Sequence, residues 1–376
     1  MTMRSIGIML AAGALLSAAP VPARKSVGAA PQRARNIILF LGDAGGVPTL
    51  NAAGIMAHDR PQSLFIQSMS HVGLSDTSAL DNWVTDSAAG MSAIMTGHKT
   101  NSGMISALPA ADGAITPTKS FLEYAEQRGL STGVVTNMPI WDATPAACFA
   151  HVANRKDKDQ IFQQMLSPRF GDGVDILIGK GQADAVAFFA KHGVTPQQAF
   201  AKAGYRFGDD PALVSASGRA AVLRDADYAP IPAVEATIGQ LARNPKGYFL
   251  MVEWDMHTDR PENGLKHVIE IDEMIRRVSA IAGKDTLILF TADHSFGLRM
   301  KSGKRDAPMA QQYAAAAAKS GATIASNAII GVEDGHTGEE VVTTAVGPGA
   351  EQVRGFFPNT HLFDVMLKAM GWGRHS

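Results

Sequence analysis

Three apolar runs in this chain end in residues that bind metals or move protons. Asn36–Leu41 (NIILFL) is followed by Gly42-Asp43, Tyr248–Val252 (YFLMV) by Glu253 with Asp255 and His257 close behind, and Thr286–Thr291 (TLILFT) by Asp293-His294. A single Asp after a strand is commonly a turn residue or a helix cap. Three segments that each deliver carboxylate or imidazole point instead to a metal site, since divalent cations take these ligands. A further segment, Val84–Gly97 (VTDSAAGMSAIMTG), offers a nucleophile. Asp86 or Ser87 can cap a helix over Ser87–Met95, and Ala88, Ala89 and Gly90 keep bulky side chains away from its first turn. A tetrahedral anion could then approach the backbone N–H groups at the positive end of the helix. Ser87 lies in no G-x-S-x-G elbow and has no obvious Ser-His-Asp set. A metal ion that binds the hydroxyl and lowers its pKa is the alternative means of activation.

The elements that must position these residues are legible from hydrophobic patterning. The three runs, with Thr132–Thr136 (TGVVT) and Val174–Ile178 (VDILI), are short, continuous and apolar, as strands buried on both faces are. Helical patterns lie between them at Ser120–Arg128 and Gly264–Ala282, the latter with Leu265, Val268, Ile269, Ile271, Met274, Ile275 and Val278 along one face. Strands alternating with helices predict an α/β fold, a three-layer α/β/α sandwich with a mostly parallel central sheet. Ligands of such sheets bind outside the carboxyl ends of the strands, where the three clusters fall. The segment 156–243 is less regular and Ala-rich, with room for a helical insertion, and no linker forces a division into two domains.

Composition narrows the class further. The 376 residues are 46% hydrophobic and 18% charged, which excludes a disordered chain. Lys plus Arg number 34 against 35 for Asp plus Glu, so no global charge draws the molecule to nucleic acid or to an anionic membrane. Cys148 is the single cysteine, which rules out an intramolecular disulfide and a multi-cysteine metal site. Arg4, the apolar stretch Ile6–Ala19 and Val21-Pro22-Ala23 read as a signal peptide over residues 1–23. Its 14 apolar residues fall short of the ~20 that a spanning helix needs. The expectation is an exported, periplasmic or secreted protein without a stable membrane anchor, comprising a single catalytic domain over 24–376.

Several motifs in order carry a resemblance. Gly42-Asp43, Val84–Ala89 (VTDSAA) with Thr96-Gly97, Asp142–Ala147 (DATPAA), His151-Val-Ala-Asn-Arg155, Thr291–His294 (TADH) and His336–Glu339 (HTGE) resemble those of the alkaline phosphatase family over nearly all of the mature chain. The resemblance implies an alkaline phosphatase-like fold. It also implies hydrolysis of phosphate monoesters through a covalent phosphoserine, with two zinc ions and one magnesium. On this reading Ser87 is the nucleophile, and Asp43, Asp293 and His294 hold the zinc beside it. His336 and the 253–259 segment hold the second zinc, and Asp43, Thr144 and Glu253 hold magnesium. Arg155 grips two phosphate oxygens, with Asp142 and Asp86 in supporting positions. Thr144 precedes Pro145, which favours an extended backbone at Thr144.

One segment departs from the family pattern. Relatives usually place an acidic ligand five residues after the magnesium Glu and a His four further on, where this chain has Thr258 and Glu262. A shortened loop accounts for the difference. In an extended segment Glu253, Asp255 and His257 alternate onto one face, which assigns Asp255 and His257 to the second zinc and leaves Asp259 in reserve. Small-molecule phosphate monoesters are the expected substrates, nucleic acid is not a dedicated partner, and homodimer formation is left open. Ser87-Ala-Ala-Gly-Met does not fit the C/S-x-P-x-R setting of a sulfatase. A phosphodiesterase of the same superfamily and an exported, non-catalytic phosphate- or metal-binding protein are the alternatives.

Overall fold

The computed structural model describes residues 33–374 except 217 and 321–325. The sequence reads His58, His192 and His375, which belong to no motif, as solvated; His375 and the expected signal-peptide segment 1–23 lie outside the described residues. Fourteen strands appear among the described residues: β1 Asn36–Asp43, β2 His71–Asp76, β3 Ala107–Pro109, β4 Ile115–Pro117, β5 Ser131–Pro139, β6 Ile176–Lys180, β7 Arg206–Gly208, β8 Ala220–Leu223, β9 Tyr248–Asp255, β10 Thr286–Thr291, β11 Ser295–Met300, β12 Ile330–Thr337, β13 Val341–Val346 and β14 Gly355–Pro358. The helices are α1 Val47–His58, α2 Ser87–Thr96, α3 Phe121–Gln127, α4 Ala143–Ala146, α5 Lys158–Leu166, α6 Gln182–Lys191, α7 Pro196–Lys202, α8 Pro230–Leu241, α9 Pro261–Ile281, α10 Met309–Ser320 and α11 His361–Met370.

Ten strands form one sheet in the order β14-β2-β13-β10-β1-β9-β5-β6-β8-β7. Only β13 runs against its neighbours; every other pairing in the sheet is parallel. The central strand β1 is buried along its whole length. Alternate residues feed two cores. Ile37, Leu39, Leu41, Phe249, Met251, Leu287 and Leu289 pack toward α2, α3 and α11. Ile38, Phe40, Leu250, Val252, Ile288 and Phe290 pack toward α1, α8 and α9. That two-residue alternation is what a sheet covered on both faces requires, and the result is the expected three-layer sandwich. The segment 156–243 holds α5 to α8 and also contributes β6, β7 and β8 to one flank of the sheet.

Register brings the chemistry to one edge. In the parallel ladders Asp43 of β1 lies beside Asp255 of β9, Leu41 beside Glu253, and Leu41 beside Thr291 of β10. Asp293 and His294 therefore emerge two and three residues past the point where β10 meets β1. Outside the main sheet, β11 and β12 form an antiparallel ribbon that opposes Phe296 to His336. Pro261 starts α9 three residues before the expected Gly264, as proline does at the first helical position, where its missing N–H has no intrahelical acceptor to lose.

Candidate active site

Ser87 is the first residue of α2, and all ten residues of that helix are buried. Asp86 caps it, its Oδ1 accepting the Ala89 N–H at 3.1 Å, and Gly97 closes it in the left-handed region at φ 72°. The Ser87 hydroxyl lies 3.2 Å from His294 Nε2. The small residues of α2 allow this approach. A Cβ on Gly90 would stand 2.5 Å from the Asp293 carbonyl oxygen and 3.1 Å from the Asp293 Cβ, so only glycine lets the helix sit against the segment that carries Asp293 and His294. Gly90→Ala is expected to push the two apart and lower kcat/KM by about 10²-fold. Steady-state kinetics checks this, with a thermal melt showing that the variant remains folded.

Behind Ser87, ligating atoms of Asp43, Asp293 and His294 lie within 4.8 Å of one another, and so do those of His257, His294 and His336. His294 belongs to both sets. Its Nε2 is 3.3 Å from Asp43 Oδ1 and 3.7 Å from Asp293 Oδ2. Its Nδ1 is 3.1 Å from the Ser295 carbonyl. A carbonyl can only accept, so Nδ1 carries a proton and Nε2 is the nitrogen that faces the acids. The same logic holds for His336, whose Nδ1 donates to the Thr85 carbonyl at 2.8 Å and whose ring stacks on that of His294 at 3.7 Å between centroids. Phe296 closes the other side, 5.1 Å from the His257 ring and 6.1 Å from that of His336.

This cluster is electrostatically incomplete as a set of protein groups alone. Burial raises the Asp43 carboxyl, but His257, His294 and Arg155 outweigh it and hold the group below the usual carboxylate range. Burial and the Asp43 charge push Asp293 up to about 6, and the same two causes raise Glu253 well above an ordinary glutamate. Burial works against a charged His257, yet Asp43 and Asp255 carry it up to about 9. His336, by contrast, is lowered by burial and by His294. Asp43 Oδ1, Asp293 Oδ2 and Thr144 Oγ1 are buried without a hydrogen-bond partner, which costs free energy unless something supplies one. Hard oxygen donors and imidazole lone pairs that converge with orphaned oxygens fit divalent metal ions.

Asp255 and His257 are placed together. His257 Nδ1 lies 2.7 Å from Asp255 Oδ1 and 3.8 Å from Asp43 Oδ1. Residue 255 is held from its backbone, its N–H donating to Asn137 Oδ1 at 2.9 Å and its carbonyl accepting from His267 Nδ1 at 2.6 Å. Asp259, the reserve ligand, is exposed. Glu253 accepts the Thr136 hydroxyl from the neighbouring strand. Arg155 forks between Asp86 Oδ2 at 3.1 Å and Asp142 Oδ1 at 2.9 Å, so Asp86 fixes both the helix and the guanidinium. Thr144 lies in the short helix α4, not in extended backbone as its place before Pro145 suggested. Pro145 falls in the first turn, where the lost N–H has no acceptor within the helix, and Asp142 caps that turn at the Ala143 N–H. Of the other histidines expected to be solvated, His58 and His192 are exposed.

Sequence reasoning did not single out Thr136, Asn137, the Thr85 carbonyl or Phe296. Thr136 and Asn137 carry a usable signal, because Thr136 closes the apolar run TGVVT, pairs with Glu253 and is followed directly by Asn137. The Thr85 carbonyl carries none, since any residue type supplies one.

Comparison with known proteins gives the family. The family model for alkaline phosphatase matches residues 34–207 and 220–326. Alkaline phosphatase 4 of Bacillus subtilis (strain 168) is 28% identical over 90% of this chain and 89% of its own length. Streptomycin-6-phosphate phosphatase of Streptomyces griseus is 28% identical over 95% of each chain. In fold, the chain is similar to the alkaline phosphatase of Thermus thermophilus, with a TM-score of 0.76 at 23% identity over 94% of this chain and 96% of that one. It is similar also to the enzyme of the Antarctic bacterium TAB5, with a TM-score of 0.73 at 23% identity over 91% and 99%. The chain belongs to the alkaline phosphatase family.

Proposed function

We propose that the protein hydrolyses phosphate monoesters through a phosphoserine on Ser87. The observation that carries the reading is the Ser87 hydroxyl at a capped helix N-terminus, 3.2 Å from the histidine shared by two metal-ligand sets. Ser87 Oγ attacks phosphorus, its bond to phosphorus forms as the bond to the ester oxygen breaks, and the alcohol departs on the opposite side. Water then attacks the phosphoserine, releasing inorganic phosphate and the free hydroxyl. Arg155 spends one N–H on Asp86 and one on Asp142, so three of its five donors remain for phosphate oxygens. The N–H groups in the first turn of α2 add a fixed positive potential at the same place.

Asp43, Asp293 and His294 would hold one zinc, His336 with Asp255 and His257 the second, and Asp43, Thr144 and Glu253 a magnesium. When bound, these ions supply Lewis-acid charge that lowers the pKa of the nucleophile and stabilises the leaving oxygen. Export after removal of residues 1–23 is part of the same proposal. None of the described helices is long and apolar enough to cross a membrane.

The test is hydrolysis of p-nitrophenyl phosphate by the mature protein after EDTA stripping and again with zinc and magnesium restored. Absence of turnover with metals fully loaded would refute the reading. The ligand assignment is tested separately. Asp255→Ala and His257→Ala are each expected to lose one equivalent of zinc by elemental analysis, whereas full occupancy in both variants would move the site to Asp259.

A further inference from the structure

The residues that lead into Ser87 present an unusual surface. Trp83 is 89% exposed, Leu80 57% and Val84 44%. Isolated exposed apolar residues need no explanation; three within five positions, one of them a nearly bare indole, do. The other three tryptophans are engaged: Trp141 donates to Asp184, Trp254 donates to Glu270, and Trp372 stacks on Phe121. The backbone beneath Trp83 is well held. Leu80 N–H donates to the Thr100 carbonyl at 2.8 Å, Ala79 N–H to the Asn82 carbonyl at 2.9 Å, and Asp81 Oδ1 accepts the Ser102 N–H at 2.9 Å. The exposure is thus a property of a braced loop.

Its position relative to the chemistry is defined on two sides. The Thr85 carbonyl holds His336, and a Cβ on Gly338 would stand 3.5 Å from both the Trp83 carbonyl and Val84 Cγ2. Residues 83–85 therefore line the His336 side of Ser87, while Arg155 is tied to Asp86 and Asp142. Four residues of extended chain span at most ~14 Å, which bounds the distance between the Trp83 and Ser87 backbones. In-line displacement directs the leaving group away from Ser87 Oγ, out of the buried site.

We propose that Trp83, with Leu80 and Val84 beside it, is a specificity-determining platform that receives the leaving alcohol of aryl phosphate monoesters. The proposal rests on the phosphomonoesterase reading. A flat, apolar indole face with few rotatable bonds stacks on an aromatic ring and gives a small polyol nothing comparable.

Metal-loaded wild type, Trp83→Ala and Trp83→Phe are compared on 1-naphthyl phosphate and glycerol 2-phosphate, and binding of naphthyl phosphonate and methyl phosphonate is measured by calorimetry. In Trp83→Ala the ratio of kcat/KM for the aryl over the alkyl ester is expected to fall about 3- to 10-fold, with the same fall in the phosphonate affinity ratio, and Trp83→Phe to recover most of it. An unchanged ratio overturns the proposal. So does an equal loss on both esters accompanied by a change in mass by sedimentation, which would make Trp83 a contact between two copies. If wild type turns over neither ester, the phosphomonoesterase reading fails, and the phosphonate ratio still decides whether Trp83 recognises an aromatic group.

Discussion

Ser87→Ala is expected to lower kcat by at least about 10³-fold while leaving the fold and the metal content intact. Among the described side chains the hydroxyl hydrogen-bonds to His294 Nε2 alone, and α2 is capped by Asp86 rather than by Ser87. Removing it deletes the nucleophile without loosening the helix. Residual turnover would come from water attacking directly, using the Arg155 fork and the helix N-terminus. The decisive readout is the covalent intermediate. Wild type quenched in acid during turnover should carry one phosphoryl group on the peptide containing Ser87, seen by mass spectrometry, and the variant none. A labelled intermediate persisting in Ser87→Ala would place the nucleophile elsewhere.

The second large effect joins metal removal to pH. In the metal-free protein Asp293 has its pKa raised to about 6, so the unfolded chain gives up that proton near pH 4 while the fold retains it. The stability tied to this proton is full below about pH 4 and lost as pH rises through 6, about 3 kcal/mol in all. Glu253, raised by burial and Asp43, acts in the same direction. His257, raised to about 9, contributes stability that is present below about pH 6.5 and disappears through pH 9. Asp43 has the opposite sign, but its lowered pKa places its loss at acid pH, below this window. Metal ions compete with these protons for the same atoms, so they bind better as pH rises. The melting temperatures of loaded and EDTA-stripped protein should therefore diverge from pH 5 to pH 9, with Asp293 alone accounting for about 2 °C. Scanning fluorimetry at the two pH values checks it. A gap that stays constant or narrows would show that these acids are not coupled to metal.

The central strands were readable because burial on both faces leaves continuous apolar runs, and β1, β9 and β10 are of this kind. The edge of the same sheet was not. In β2 (HVGLSD) burial alternates with exposure over only six residues, and β14 (GFFP) is four residues with Phe356 outward, patterns too short to stand out from a loop. Asp43, Asp293 and His294 could be placed from sequence because each directly follows a buried strand, and parallel register carries them to one edge. His336 could not be placed that way. It comes from the β11–β12 ribbon, whose partner residue Phe296 lies 40 positions away, and long-range antiparallel pairing leaves no local mark. The backbone at Thr144 was misjudged because a statistical preference before proline gave way to a helix capped by Asp142.

That ribbon separates chemistry from chain length. Ser295 pairs with Thr337 and Met300 with Ile330, so the backbone at His336 is positioned by the ladder between two short strands, and its ring by the Thr85 carbonyl. The connection between them carries α10, with Met309 and Tyr313 buried, and before it an exposed stretch, 302–308, that lies outside the ladder. Doubling such a connection costs only about 0.6 kcal/mol in closure entropy. The ribbon is thus a natural grafting point. Evolution or an engineer can lengthen this excursion into a recognition module or a fusion partner at the Met300–Ile330 end of the ribbon, away from His336, and the imidazole stays where it was.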